Sequence, residues 1–340
     1  MTPGFGRRSW TMPQCGAGRG DGQQNCGANR KVNAMKKLLR GEALMLRTCA
    51  ADGTSYNGFK WPKSGPVKCN DWRPKAEYGH GLHGLLWGEG DGSLLNWAED
   101  AAWLVVRVRL SEVVQIDRKV KVPSGVVEFF GAAHEAVELI QKYAPAGTVI
   151  VGGTATAGDG GTATAGYRGT ATAGYRGTAT AGDGGTATAG YLGTATAGVR
   201  GTATAGDGGT ATAGVRGTAT AGDRGTATAG VRGIATAGDE GTATAGDLGT
   251  ATAGYGGTAT AGDGGTATAG YGGTATAGYG GTATAGDRGT ATAGDRGAIS
   301  ILYWNGEKYK RAIFAVGEDG IEPNQAYRVD EKGCAIKVEK

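Results

Sequence analysis

The sequence predicts a mainly β protein, in which a parallel β-solenoid of octapeptide repeats follows an α+β domain and precedes an antiparallel β cap. Three observations predict it. Gly-Thr-Ala-Thr-Ala-Gly-x-x recurs eighteen times without a change of spacing from Gly153 to Arg296, and Ile234 is the one departure from its invariant residues. Ahead of the repeat, Trp61, Trp72, Trp87, Trp97 and Trp103 fall within 43 residues, enough aromatic area for a compact core. Behind it, the apolar runs Ala298 to Trp304 and Tyr309 to Val316 are joined across Asn305-Gly306, a strong hairpin signal.

In chain order, residues 1–37 read as a disordered tail: they are rich in Gly, Arg, Asn and Gln, lack apolar periodicity, and end near Met35, a plausible alternative start. Residues 38–148 are expected to form the α+β domain. Ala102 to Ile116 alternates Arg107 and Arg109 with Val106, Val108 and Leu110, which predicts a half-exposed strand. Lys119 to Phe130 gives a strand or pair of strands around Pro123-Ser124-Gly125, and Ala132 to Tyr143 a helix that stops before Pro145. Ala133, Val137 and Ile140 fall on one side of it, with Leu139 and Tyr143 beside them.

The repeat, 153–296, cannot be helical. Two Gly per octad disfavour a helix by roughly 0.8–1 kcal/mol each, and paired Thr add χ1 restriction. Thr-Ala-Thr-Ala reads instead as a short strand with Thr on one face and Ala on the other, while Gly-x-x-Gly supplies residues expected to take φ > 0 and reverse the chain. Ala must face inward, because a buried hydroxyl without a partner costs ~1–3 kcal/mol and Ala loses nothing on burial. Two octads per coil is the preferred winding, which makes nine coils and a rod on the order of 43 Å. Identical residues recur in the variable seventh position at a lag of sixteen in 7 of 16 comparisons and at twenty-four in 7 of 15, so that column does not separate two octads per coil from three. A disordered low-complexity segment is the competing reading; the unvarying period and the absence of Pro between Pro145 and Pro323 oppose it. Residues 297–340 are read as the β cap, since an open solenoid end presents unpaired backbone groups.

Charge excludes one class of partner. The net +4 is carried by residues 1–34, and residues 35–340 are neutral overall, so nucleic-acid binding is not expected. Neither Met1 nor Met35 opens a secretory signal, and no segment has the ~20 apolar residues of a membrane span; a cytoplasmic chain without a membrane partner is expected. Cys15, Cys26, Cys49, Cys69 and Cys334 are odd in number and unframed, which predicts free thiols.

Two constellations could carry chemistry in 38–148. Cys49, Cys69, His80 and His83 are the candidate zinc ligands, but nineteen residues lie between the two Cys and Gly surrounds both His, so packed thiols and an irregular polar loop are expected, and no cofactor. His80, His83, Glu89, Asp91, Glu99 and Asp100 are the titratable groups near a Gly-rich, Trp-flanked segment that could border a pocket. Gly88-Glu89-Gly90-Asp91-Gly92 completes no phosphate-binding fingerprint, and the expectation is solvated loop residues and no catalytic residue.

Ala165-Gly166-Tyr167-Arg168-Gly169-Thr170-Ala171-Thr172 and Ala269-Gly270-Tyr271-Gly272-Gly273-Thr274-Ala275-Thr276 resemble the octapeptide of bacterial ice-nucleation proteins, with Gly in its Ser position. The resemblance covers 144 of the 340 residues and implies outward Thr ladders that order water, with Tyr stacked along one edge. The flanking domains resemble uncharacterised domains of bacterial and phage-associated repeat proteins, which implies no activity. Thr two apart on a strand are ~6.6–6.8 Å apart and stacked coils ~4.7–4.9 Å, so Thr154, Thr156, Thr162, Thr164, Thr170, Thr172, Thr202, Thr204, Thr218, Thr220, Thr274 and Thr276 represent a flat lattice suited to another regular surface. Thr is also simply the β-branched residue that suits a solvated strand. Three functions follow: a non-enzymatic spacer or display rod whose partner is a protein or regular surface, with association along the solenoid edges; an ice- or crystal-binding protein; and an enzyme with its site in 38–148.

Overall fold

The computed structural model describes residue 35 and residues 37–339, so the tail expected over 1–37, with Cys15 and Cys26, lies almost wholly outside the described residues. The first body is a seven-stranded sheet of β1 (Glu42–Cys49), β2 (Gly65–Lys68), β3 (Leu82–Leu86), β4 (Ala102–Arg109), β5 (Val114–Ile116), β6 (Lys119–Val122) and β7 (Ser124–Gly131), ordered β2-β7-β4-β1-β3-β6-β5. Every pair is antiparallel. The helix α1 (Ala133–Tyr143) buries Ala136, Val137 and Ile140 and packs on β4, β1 and β7.

Strand β4 departs from the half-exposed strand its alternation predicts. It lies between β1 and β7, covered on both faces, and Leu104, Val105 and Val106 are fully buried. Arg107 tolerates that position because its Nε donates to Glu128 Oε1 at 2.8 Å and its guanidinium lies 3.6 Å from Glu42. Alternation reports only which side chains differ, whereas the neighbours laid on each face decide exposure.

Eighteen four-residue strands follow, β8 (Thr154–Ala157) to β25 (Thr290–Ala293), and alternate between two facing parallel sheets. Thr154 pairs with Thr170, and Thr162 with Thr178: a coil holds sixteen residues, which decides the winding in favour of two octads and nine coils. Ala at the second and fourth strand positions fills the space between the sheets, fully buried at Ala171 or Ala211 and 3% exposed at Ala205. Ala155 and Ala157 of the first strand are only half-buried. A core this thin gives little apolar area per coil, so the in-register backbone ladders are a large part of what holds the coils together.

The turns correct the expected role of Gly. In the turn Gly214-Val215-Arg216-Gly217, the Gly217 N–H donates to the Gly214 carbonyl at 2.9 Å, and it is Arg216, the eighth residue, that has φ 58°. The same holds in every turn, with Arg, Leu, Glu or Gly at φ between 52° and 67°. The two invariant Gly are required for close approach instead. A Cβ on Gly217 would lie 2.8 Å from Ala213 Cβ and 2.9 Å from the Gly201 and Gly214 carbonyl oxygens. Asp at the seventh position has its own structural use. Asp159 Oδ1 accepts the Tyr175 N–H at 2.8 Å, and Asp183 the Val199 N–H at 2.8 Å, one coil further on.

Opposite effects are therefore expected from two adjacent substitutions. Arg216→Gly, which relieves a non-Gly residue of the left-handed region, should raise the unfolding free energy by about 0.5–1 kcal/mol after the added chain entropy is set against it. Gly217→Ala, which overpacks the seam, should lower it by about 1–3 kcal/mol. Urea unfolding of both variants checks this, and a stabilised Gly217→Ala would refute the close-packing account.

Both ends are covered. At the start, the Val151 N–H donates to the Gly88 carbonyl at 2.9 Å, Gln141 Nε2 donates to the Thr154 carbonyl at 2.7 Å, and Tyr167 rests on Trp97 with ring centroids 5.5 Å apart. At the far end, β26 (Ala298–Trp304) adds in parallel to the strand Thr282–Ala285, and β27 (Tyr309–Ala315) turns back antiparallel across the expected Asn305-Gly306 loop. The short strands β28 (Tyr327–Val329) and β29 (Ala335–Lys337) close the other sheet, β28 pairing antiparallel with β25.

Candidate functional sites

The alternating geometry of a two-octad coil sorts the outward Thr onto two faces. Thr154, Thr156, Thr170, Thr172, Thr202, Thr204, Thr218 and Thr220 lie on the sheet that begins with β8, and Thr162, Thr164, Thr274 and Thr276 on the opposite sheet. The first face is interrupted by Ile234, in the same column as Thr202 and Thr218 and 49% exposed. The second face keeps Thr at both positions from Thr162 to Thr292, and is covered only at its end, where Arg328 Nε donates to Thr290 Oγ1 at 3.0 Å. Within most strands the first Thr is exposed and the second half-buried, so the second is held more firmly by its neighbours. β-Branching further restricts χ1, and the result is a lattice of hydroxyls and methyls with little freedom to lose.

The edges are irregular by comparison. Tyr175 stacks on Tyr191 at 5.8 Å and Tyr255 on Tyr271 at 5.3 Å, both nearly parallel, while Tyr167 and Tyr279 belong to the other edge. The expected Tyr stack along one edge is thus two separate pairs. Between the two pairs Asp207, Asp223 and Asp239 interrupt it, each accepting a backbone N–H of the next coil.

In the first body the structure separates the candidate chemical residues into groups. Cys49 and Cys69 are buried free thiols; Cys69 Sγ donates to the Pro123 carbonyl at 3.3 Å, and burial pushes both thiols up, away from the thiolate form. Among the described residues no three His, Cys, Asp or Glu are grouped as metal ligands are. Glu89 and Asp91 line a groove against the first coils, with Asp91 Oδ1 accepting the Ser93 N–H at 2.9 Å, and Glu99 and Asp100 are exposed turn residues.

His80 and His83 do come together, lining one cavity of about 650 Å³ with Arg47, Asp71 and Trp61. The segment is not the irregular loop expected throughout: His83 is in β3, and positive φ is confined to Gly79, His80 (52°) and Gly81 ahead of it. His80 Nδ1 lies 3.3 Å from Asp71 Oδ2. Arg47, which the sequence reading did not single out, is reached only through pairing, because β1 lies beside β3. Burial holds Cys69, the one cysteine lining the cavity, as an un-ionised thiol, the form that is not nucleophilic.

The regular Thr faces have relatives. Over 104 residues, 30% of this chain, the repeat region is 38% identical to an ice nucleation protein of Xanthomonas campestris pv. translucens, where the match covers 7% of the length. The repeat is similar to those of ice nucleation proteins. The protein InaU of Pantoea ananas is 37% identical over 101 residues, 29% of this chain and 10% of its own length. An ice nucleation protein of Pseudomonas syringae is 36% identical over 92 residues, 26% and 8%. The chain therefore matches a tenth or less of the length of these relatives. No family model matches it, and no solved structure does. The similarity to ice nucleation proteins falls on the solenoid, whose Thr lattice the strand pairing has just described.

Proposed function

We propose that this chain is a non-enzymatic ice-binding solenoid that meets the ice surface through the Thr lattice running from Thr162 to Thr292. The observation that carries the reading is the in-register pairing of that face: each Thr sits directly beside its counterpart sixteen residues on, as Thr210 does beside Thr226. A crystal surface is matched only by an equally regular one, and pre-ordered side chains lower the entropy lost on contact. The relatives are named as ice nucleation proteins, which supports a reading of the repeat as a surface that meets ice. The opposite face, broken at Ile234, is the weaker binder.

Affinity for a lattice arises from many registered contacts, so one long charged side chain lifts several neighbours out of register. Ice-crystal shaping and freezing temperature of the intact chain should be compared with Thr210→Lys and Thr242→Lys on the unbroken face, and with Thr202→Lys, Thr218→Lys and Ile234→Thr on the other. The first pair is expected to lose most of the shaping, the second pair to lose less, and Ile234→Thr to keep or raise it. An intact chain that shapes no ice defeats the proposal. It would favour the rigid spacer or display rod, a reading supported by the folded body packed on one end of the rod.

A further inference from the structure

Two of the buried side-chain polar atoms without a hydrogen-bond partner among the described residues are Arg47 Nε and His83 Nδ1, and both residues line the cavity of about 650 Å³ beside the paired strands β1 and β3. Buried polar groups are ordinarily partnered, and a cluster of exceptions in one concave place needs an account. The volume falls within the ~300–1,000 Å³ of small-molecule sites.

The chemistry of the missing partner can be read atom by atom. His83 Nε2 lies 3.2 Å from the Gly79 carbonyl, which only accepts, so the ring proton sits on Nε2 and Nδ1 is left as an acceptor. The ring stays neutral, its pKa lowered to about 4, first by burial and then by Lys119, with Arg47 and Lys121 adding to the positive field. Arg47 donates from one terminal nitrogen to the His83 carbonyl at 2.6 Å and lies 4.7 Å over the Trp61 ring, leaving its Nε–H to be accepted. Burial lowers the guanidinium to about 10, which keeps it charged at neutral pH. The cavity therefore demands, in one molecule, an acceptor for Arg47 and a donor for His83, in a field that repels cations. Trp61 and Phe59, edge to face at 5.5 Å, form its apolar wall.

The polar groups are also held in place. Lys121, with no exposed surface, donates from Nζ to the Glu77 carbonyl at 2.9 Å and the Gly79 carbonyl at 3.4 Å. That tether fixes the segment leading to His80 and His83, and such support around a recognition site preorganises it.

We propose that this cavity is a binding site for a small organic anion bearing a planar ring and a free hydroxyl, the chemistry a mononucleotide presents. Its anionic oxygens face Arg47 and Lys119, a hydroxyl donates to His83 Nδ1, and the ring lies against the wall of Phe59 and Trp61. The site is independent of the Thr lattice on the rod.

The test uses the full chain and calorimetric titration with adenosine 5′-monophosphate, adenosine, ribose 5-phosphate and inorganic phosphate. The monophosphate should bind at least tenfold more tightly than any of the three fragments. Lys119→Ala, at the half-exposed rim, should weaken it several-fold while leaving adenosine unchanged, and Arg47→Lys and His83→Phe should each weaken it tenfold or more. Circular dichroism identifies any variant that fails to fold, and the Lys119→Ala result then stands alone. No binding of any probe at millimolar concentration, equal binding of the monophosphate and adenosine or phosphate, or a Lys119→Ala variant of unchanged affinity would each overturn the assignment.

Discussion

Ala211→Asp is expected to unfold the middle of the rod, while Thr210→Asp, one residue earlier on the same strand, leaves it intact. Ala211 has no exposed surface and Thr210 is exposed. A carboxylate at 211 points into a space that holds only Ala side chains from both sheets, with no cation or donor within the core. An unpaired buried charge is destabilising by about 3–5 kcal/mol. A solenoid of near-identical coils has only nearest-neighbour contacts to resist it, so the loss divides the rod into two weaker halves. At 210 the same group reaches water. Thermal unfolding followed by circular dichroism should show a drop of several degrees or a second transition for Ala211→Asp, against a change within about 0.5 kcal/mol for Thr210→Asp. Equal behaviour of the two variants would contradict the assignment of inside and outside.

The second large effect is expected from removing the cap. A chain ending at Gly297 should associate with itself in a concentration-dependent way that the full chain does not show. The hairpin β26–β27 and the pair β28–β29 cover the last strand of each sheet, and Ile299, Ile301, Val316, Ile321 and Tyr327 join the Ala core there. Without them the strands Thr282–Ala285 and Thr290–Ala293 present unpaired N–H and C=O groups beside a newly exposed apolar end, a template for another parallel strand. Replacing Ile313, exposed on β27, by Lys is the control that leaves the cap in place. Sedimentation velocity over a hundredfold concentration range distinguishes the outcomes, and a capless chain that sediments as the full chain does would remove the cap's assigned role.

The repeat's architecture was legible because its information is local and repeated. Thr-Ala-Thr-Ala states a strand and its two faces by side-chain alternation alone, and the hydroxyl desolvation argument orients it; the buried Ala and outward Thr follow as read. The hairpin across Asn305-Gly306 was legible for the same reason. What the octad did not reveal was which residue of the turn is left-handed. Gly was the natural expectation, yet Arg216 takes φ 58° while Gly217 is needed to clear Ala213 Cβ, a requirement set by how near one coil lies to the next. The seventh-position Asp likewise reads as a surface charge until its partner one coil away is known.

The sequence by itself determined a parallel β-solenoid, its inner and outer residues, its flanking elements and its resemblance to ice-nucleation repeats, because period, alternation and turn chemistry act within a few residues. Only the tertiary structure decided that a coil holds sixteen residues, since every octad is nearly the same and the variable column matches at either lag. That winding in turn placed Ile234 on one Thr face and left the other unbroken. It was also the pairing of β1 with β3 that brought Arg47 to His83, 36 residues apart in the chain, where no local pattern could join them.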